Sequence, residues 1–351
     1  MSDVQPSDAE WRALFAAAQR VKELAPWQWM DESAVFGVEN PATGEVGFVS
    51  VMGNLGEHLA VALYLGPDGL YNFLTIESQD YDLPPESILE VPQLQVSFED
   101  RDILTTQDRN LIKRLGLKFR GRQSWPWFRS FAPGMFPWYL TAAEARFLTI
   151  ALDQLMDVAP RAKENEDLLV APDEDAELFL VRVPQQRDGV LEWEDRLQKV
   201  PPPEPALIEI LIDPNLADQV RRMKRGNAAL EVEFSMLPSP VNDDSPRPYF
   251  PYMVMTLESN VGFILGADLI RPLPSFESMI AQIPNIVLTH VSRLQVRPAK
   301  IQVDSERLFV LLQGLGERTK LKFELVDYLP GIEAAKASMA AFMGGLGPEE
   351  E

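Results

Sequence analysis

AVFGVENPATGEVGFVSVMGNLGEHLAVALYLGPDGLYNFLTIES, residues 34–78, carries the clearest pattern in the chain. Three runs rich in Val, Phe, Leu and Tyr (AVFGVEN, EVGFVSVMG and EHLAVALYLG) are separated by NPATGE and by the glycines Gly53 and Gly56. Such runs, bounded by Gly, Pro and Asn, read as strands joined by turns. GLYNFLTIES then changes to helical spacing. Consecutive strands followed by a helix point to an α+β domain with an antiparallel or mixed sheet.

Working outward, Ser7 and Glu10 have capping-box spacing ahead of Trp11, Leu14, Phe15, Ala18 and Val21, an amphipathic helix stopped by Pro26. QLQVSFED reads as a strand and TTQDRNLIKRL as a helix capped by Thr105. LKFRGR, residues 117–122, reads as a further short strand. Prolines 126, 133 and 137 make the following segment irregular or a sheet edge. Thr141 and Glu144 open a closing helix, TAAEARFLTIALDQLMDV.

These signals give an N-terminal α+β domain over 1–158 and an acidic, Pro-rich linker with a hairpin over 159–205. A C-terminal α+β domain over 206–346 and a disordered acidic tail at 347–351 complete the expected organisation. In the second half ALIEILID reads as a buried strand, Asp213-Pro214 as a helix start, and ALEVEFSML, YMVMTLES and VGFILGADLI as strands. A helical stretch broken near Pro284 follows, then strand AKIQVDS, helix SERLFVLLQGL, strand KLKFELVD and a final helix. The halves repeat short signals in the same order: LGPDGL and LGADLI, LQVSFEDR and IQVDSER, GLKF and KLKF. That order is the one a tandem duplication would leave, and chance recurrence of short matches in a Leu-rich chain would leave it as well.

Composition sets outer limits. The chain has 351 residues with 53 acidic against 32 basic, a formal charge of −21. Most of such a surface repels nucleic acid and anionic membranes while leaving room for a local basic patch. Without cysteine there is no disulfide, thiolate nucleophile or cysteine metal site. No apolar run approaches the roughly 20 residues that span a bilayer, and MSDVQPSDAEW lacks a charged-then-apolar signal pattern. A cytoplasmic protein with no membrane partner is expected.

The chemistry-bearing residues are few. Histidine occurs only at 58 and 290. Glu57 could orient His58 in a hydrolase, but nothing completes a triad or a zinc site. His290, in a helical pattern, reads as structural. The glycines of GNLGEH could cradle an anion, though a turn between strands explains them as well; the common nucleotide-binding loops are absent. Carboxylates at Asp80, Asp82 and Glu86 and at Asp243 and Asp244 lack an EF-hand pattern, so no metal and no cofactor is expected. One stretch stands out against the acidic chain. RNLIKRLGLKFRGRQSWPWFR, residues 109–129, has seven basic residues and no acidic one. On a strand, Lys118, Arg120 and Arg122 would share one face and Leu117 and Phe119 the other. With Trp125, Trp127 and Arg129 they form the candidate ligand-binding set, since guanidinium forks take carboxylate or phosphate and indoles stack on planar groups. The bland alternative is that the basic face pairs with the acidic segment Glu164–Glu177 and the tryptophans fill the core.

WRALFAAA, the long run Pro26–Leu70, FRSFAPGMFPWYLTAAEARFL, DPNLADQV and SPRPYFPYMVM resemble a family of uncharacterised bacterial proteins built from two domains of unknown function. The resemblance covers most of the chain. It implies a bacterial cytoplasmic protein, and it transfers no activity and no catalytic residue. The expected function is therefore non-enzymatic recognition of a protein or peptide partner. Nucleic-acid or nucleotide binding through residues 118–129 is the first alternative, and a hydrolase using Glu57 and His58 the second.

Overall fold

In the computed structural model, which describes residues 4–78, 85–170, 177–204, 208, 210 and 212–344, the chain divides into two units, Met1–Pro205 and Ala206–Glu351. The first opens with helix α1 (Asp8–Leu24). Strands β1 (Phe36–Glu39), β2 (Val46–Met52) and β3 (Ala60–Leu65) follow, then α2 (Gly66–Ser78) and β4 (Gln93–Glu99). Next come α3 (Thr106–Arg114), β5 (Trp125–Phe131), α4 (Ala142–Glu164), β6 (Leu178–Arg187) and β7 (Val190–Lys199). The seven strands lie in the order β5-β4-β3-β2-β1-β6-β7. All neighbours are antiparallel except β1 and β6.

Both faces of this sheet are covered, so its central strands read as nearly continuous apolar runs. Val49, Val51, Val61 and Leu63 pack under α1 and α4 with Leu14, Phe15, Leu148 and Leu152. Phe48, Ala62 and Tyr64 face the other way, against Leu70 and Phe73 of α2. The alternation within β2 and β3 is what the pleat requires. The parallel pairing of β1 with β6 needs Gly37, because a Cβ there would lie 2.8 Å from Val181.

Within residues 159–205, read from sequence as a linker with a hairpin, the strands β6 and β7 belong to the first sheet. α4 continues through Pro160 to Glu164, and the hairpin β6–β7 extends the sheet beyond β1. Arg182 of β6 holds it there, donating to Gln154 of α4 at 3.0 Å and to Asp195 of β7 at 2.6 Å. Arg161 of α4 bridges Asp157 and Asp195. Asp80, Asp82, residues 171–176 and the tail 347–351 lie outside the described residues.

The second unit contains α5 (Pro214–Arg222), β8 (Ala229–Met236), β9 (Tyr252–Glu258), β10 (Phe263–Ile270), α6 (Phe276–Ile280) and α7 (Ile283–Ser292). It closes with β11 (Lys300–Val303), α8 (Glu306–Thr319), β12 (Phe323–Leu325) and α9 (Pro330–Gly344). Its sheet runs β10-β9-β8-β11-β12, with β11 parallel to both β8 and β12. Leu230 and Val232 of β8 face a core shared with Val220, Val287, Leu288, Leu312 and Leu315. On the opposite face Glu231 accepts from the Ile332 amide at 2.9 Å, a carboxylate at the first turn of α9. Of ALIEILID, the described Ile208, Ile210 and Ile212 pack on the core without forming a strand.

The α+β class stands, with one mixed sheet per unit. The two sheets differ in topology. The order helix, three strands, helix, strand, helix, strand, helix recurs from α1 to α4 and from α5 to α9, the second unit's middle helix being split into α6 and α7. Yet β4 (LQVSFE) joins β3 antiparallel, while its sequence counterpart β11 (KIQV) joins β8 in parallel. LGADLI forms the end of β10 ahead of α6, whereas LGPDGL runs from β3 directly into α2, and GLKF is not a strand. Element order is a local signal; strand neighbours are set by non-local pairing.

His290 of α7 is fully buried and spans two strands, as a structural reading of it predicts. Its Nδ1 lies 2.8 Å from the Thr256 hydroxyl of β9 and its Nε2 2.5 Å from the Asp268 carboxylate of β10. A neutral ring satisfies both contacts by accepting from Thr256 and donating to Asp268. Burial pushes the His290 pKa below the ordinary histidine value, against the pull of Asp268 and with the repulsion of Arg293. An unfolded histidine titrates near about 6.5, so below that pH the unfolded chain takes up a proton that the folded unit resists. The group's contribution to stability is complete above the ordinary value and is lost as pH falls toward the folded one, with a slope of up to about 1.4 kcal/mol per pH unit. We expect the urea midpoint of β9 and β10, read by hydrogen exchange, to fall between pH 7.5 and 5.5. Asp268→Asn, which removes the carboxylate favouring the charged ring, should steepen the fall; an unchanged slope would contradict this account.

Candidate functional site

The basic stretch 109–129 begins inside α3. Thr105 caps this helix: its hydroxyl accepts from the Asp108 amide, and the Asp108 carboxylate accepts from the Thr105 amide at 3.0 Å and its hydroxyl at 2.7 Å. At the other end Gly116 takes a left-handed φ of 69°. Its amide donates to Lys113 at 3.0 Å and the Leu117 amide to Ile112 at 3.0 Å, the paired bonds of a Schellman stop.

The expected strand at 117–122 is absent, and this corrects the sequence reading. Leu117 and Phe119 do pack against the core, while Lys118 and Arg120 are exposed, but the segment pairs with no strand. Gly121 at φ 99° and Gln123 at φ 45° interrupt extension. The strand starts later, at Trp125, and pairs antiparallel with β4 from Glu99↔Trp125 to Gln93↔Phe131. Pro126 is tolerated because β5 is the sheet edge. Part of that edge is closed by the chain's own return, where Ser130 and Trp138 exchange backbone bonds at 2.8 and 3.0 Å.

Arg129 points inward. It is 3% exposed and grips Asp108, itself 9% exposed, through two parallel bonds at 3.1 and 2.7 Å. Its guanidinium lies 4.1 Å from the Trp127 ring and 4.6 Å from the Tyr139 ring, between two aromatic faces. Of the expected ligand-binding set, Arg129 and Trp127 thus fasten β5 to α3. Arg120 and Arg122 point to solvent; Arg122 has a side chain 92% exposed and lies 3.8 Å from Asp100. Among the described residues the ion pairs of 118–129 are with Asp100 and Asp108, and residues 171–176 of the acidic segment lie outside the described residues.

Lys118 and Trp125 meet elsewhere, in an open groove of about 490 Å³ beside α3. Arg109 and Lys113, one turn apart on α3, line it with Lys118 and with Arg101 from the turn after β4. Ile112, Leu117 and Trp125 supply its apolar surface, and among the described residues no carboxylate lines it. Trp125 is braced by an edge contact to Phe119 at 5.8 Å, and Phe119 by stacking on Phe15 of α1 at 5.8 Å. Arg101 lies 5.9 Å over the Trp125 ring. Among the described residues none of these four cations is in an ion pair. Sequence reasoning missed Arg101, Arg109 and Lys113. The last two were legible as an i, i+4 pair in RNLIKRL; Arg101 joins only because Glu99 pairs with Trp125 across β4 and β5.

His58 and Glu57 lie outside this groove's lining. The His58 side chain is 53% exposed and its Nδ1 stands 3.9 Å from Glu99, too far for a hydrogen bond. Gln95 lies 3.3 Å from its other nitrogen. The Glu57 carbonyl accepts from Gln123 at 3.0 Å, which is loop architecture. Among the described residues no cluster of three or more metal-binding side chains occurs, and no helix is long and apolar enough to cross a membrane.

Residues 11–182 match the family model of a domain of unknown function, DUF7309, and residues 216–340 match a second, DUF6930. The chain carries both domains. No curated protein matches it. The DUF7309 match runs into β6, and the groove, the Arg129–Asp108 pair and its aromatic brackets all fall within it. DUF6930 accounts for the second sheet and its helices from α5 into α9.

Removing one partner of a buried, doubly bonded ion pair leaves the other charge stranded, a loss of about 3–5 kcal/mol. Arg129→Ala should destabilise the DUF7309 domain by that order in urea unfolding. Arg129→Lys should recover little, since an ammonium cannot reproduce the fork or the stacking. A Lys variant as stable as the native chain would show that charge alone matters there.

Proposed function

We propose that the chain is a non-catalytic binding protein whose DUF7309 domain takes an acidic segment of a protein partner into the groove beside α3. The observation carrying this reading is the convergence of Arg101, Arg109, Lys113 and Lys118 on a groove that has, among the described residues, no carboxylate and no ion pair to these cations, in a chain of net charge −21. Surface cations in so acidic a chain have anionic neighbours at hand. Four that face one concavity with no carboxylate partner among the described residues favour an anion from outside, through charge-assisted hydrogen bonds.

Charge and size favour a peptide over a nucleic-acid strand. Single strands are held along a continuous basic track with several stacking platforms. Here Trp125 is the aromatic residue lining the groove, since Trp127 is engaged with Arg129. The strongly acidic remainder of the chain opposes a long polyanion. A groove of about 490 Å³ suits a few residues of extended chain.

The test is fluorescence anisotropy of the full chain with a panel of labelled acidic decapeptides differing at their non-acidic positions, and with a ten-nucleotide thymidine strand. Binding of members of the peptide panel should weaken as salt rises from 50 to 300 mM, because ion pairing is screened. Arg109→Glu with Lys113→Glu, both on the solvent side of α3, should cut affinity by about tenfold or more. Tighter binding of the nucleotide strand through the same residues would transfer the groove to the nucleic-acid reading. No binding of either would overturn the proposal.

A further inference from the structure

The groove is not uniformly polar. Ile112, Leu117 and Trp125 line it together with the cations Arg101, Arg109, Lys113 and Lys118. Leu117 and Trp125 are half-buried and so retain surface that water still touches. The brace from Phe119 and Phe15 holds Trp125 from its core side, which fixes the ring before any ligand arrives. A site meant for a bare anion gains nothing from a fixed indole and an exposed leucine. A site meant for a neutral apolar group gains nothing from four uncompensated cations.

Resting on the reading of the groove as a site for an acidic protein segment, we propose that the segment it selects carries one aromatic or large aliphatic side chain between its carboxylates. That side chain seats on Leu117 and Trp125, and the flanking carboxylates reach the surrounding cations. The apolar contact supplies affinity in proportion to area removed from water, while the ion pairs steer and orient. Preorganisation of Trp125 lowers the ordering cost, since the ring loses little freedom on binding. A purely acidic peptide makes only the exposed ion pairs, which are weak singly and weaken further with salt.

Two labelled decapeptides of equal charge decide the matter: one of Glu, Asp and Ser alone, the other identical except for a central Phe in place of Ser. Both are titrated against the full chain at 150 mM salt. The Phe peptide should bind at least about tenfold more tightly, the scale of burying most of one aromatic side chain. Leu117→Asn, at a half-exposed position outside regular structure, should bring the ratio of the two affinities most of the way toward one. Arg109→Glu should weaken both. Trp125→Leu, read beside a urea-unfolding control because the ring also packs on Phe119, should reduce the Phe preference too. Equal affinity for the two peptides would overturn the selectivity while leaving the acidic-segment reading standing. Failure of both peptides, together with the rest of the panel, would remove the reading itself.

Discussion

The Arg129–Asp108 pair is the contact on which the rest of the DUF7309 groove depends. Asp108 closes the capping box that starts α3, and the same carboxylate receives both arms of Arg129 from β5. Helix start and edge strand are therefore locked at one point. From that point the helix runs outward with Arg109 and Lys113 on the groove side, while β5 runs back to Trp125 in fixed register with β4. Both walls of the groove have the same origin. A buried pair of this kind is weak evidence for net stability, because desolvation offsets much of its attraction. Its value lies in geometry: two planar bonds and two flanking rings leave the guanidinium one position.

That lock separates two populations of cations that look alike in sequence. Arg129 and Arg114 have carboxylate partners in Asp108 and Asp8. Arg109, Lys113 and Lys118 have none among the described residues and face the groove. Like charges gathered at one site repel one another, though solvent screening over about 8 Å at physiological salt softens this. The strongly negative chain around them lowers the cost further, so the cluster is electrostatically tolerable without a ligand and favourable with an anionic one.

The sequence disclosed most of the elements and little of their arrangement. Strand runs such as VGFVSVM and the capping boxes at Ser7, Thr105 and Thr141 act within a few residues, and each appears where local chemistry places it. LKFRGR misled because alternation of core and solvent positions is not unique to strands: Leu117 and Phe119 alternate inward from a loop whose backbone is turned by Gly121 and Gln123. Arg129 looked like its basic neighbours because nothing local marks a residue that will be roofed by Tyr139, ten positions on. The groove was half legible. Lys118 and Trp125 were singled out, whereas Arg101 arrives through strand pairing that no local pattern encodes.

The same distinction explains why two units with one element order have different sheets. In each, three antiparallel strands leave the outer edge of the first strand open. Unpaired backbone there must be covered. In the first unit β6 arrives from beyond α4 to lie parallel to β1, supported by Arg182, which frees β4 to pair with β3 and β5 to form the edge. In the second unit β11 fills the equivalent place beside β8, and β12 follows it through α8. The groove beside α3 is a consequence of the first solution. Because β6 completes the β1 side, the β4–α3–β5 segment is left at the opposite edge, where Pro126 is permitted and where the helix, the turn after β4 and Trp125 can enclose an opening to solvent. The second unit spends its corresponding strand on closing the sheet, and so the same order of helices and strands builds no equivalent edge there.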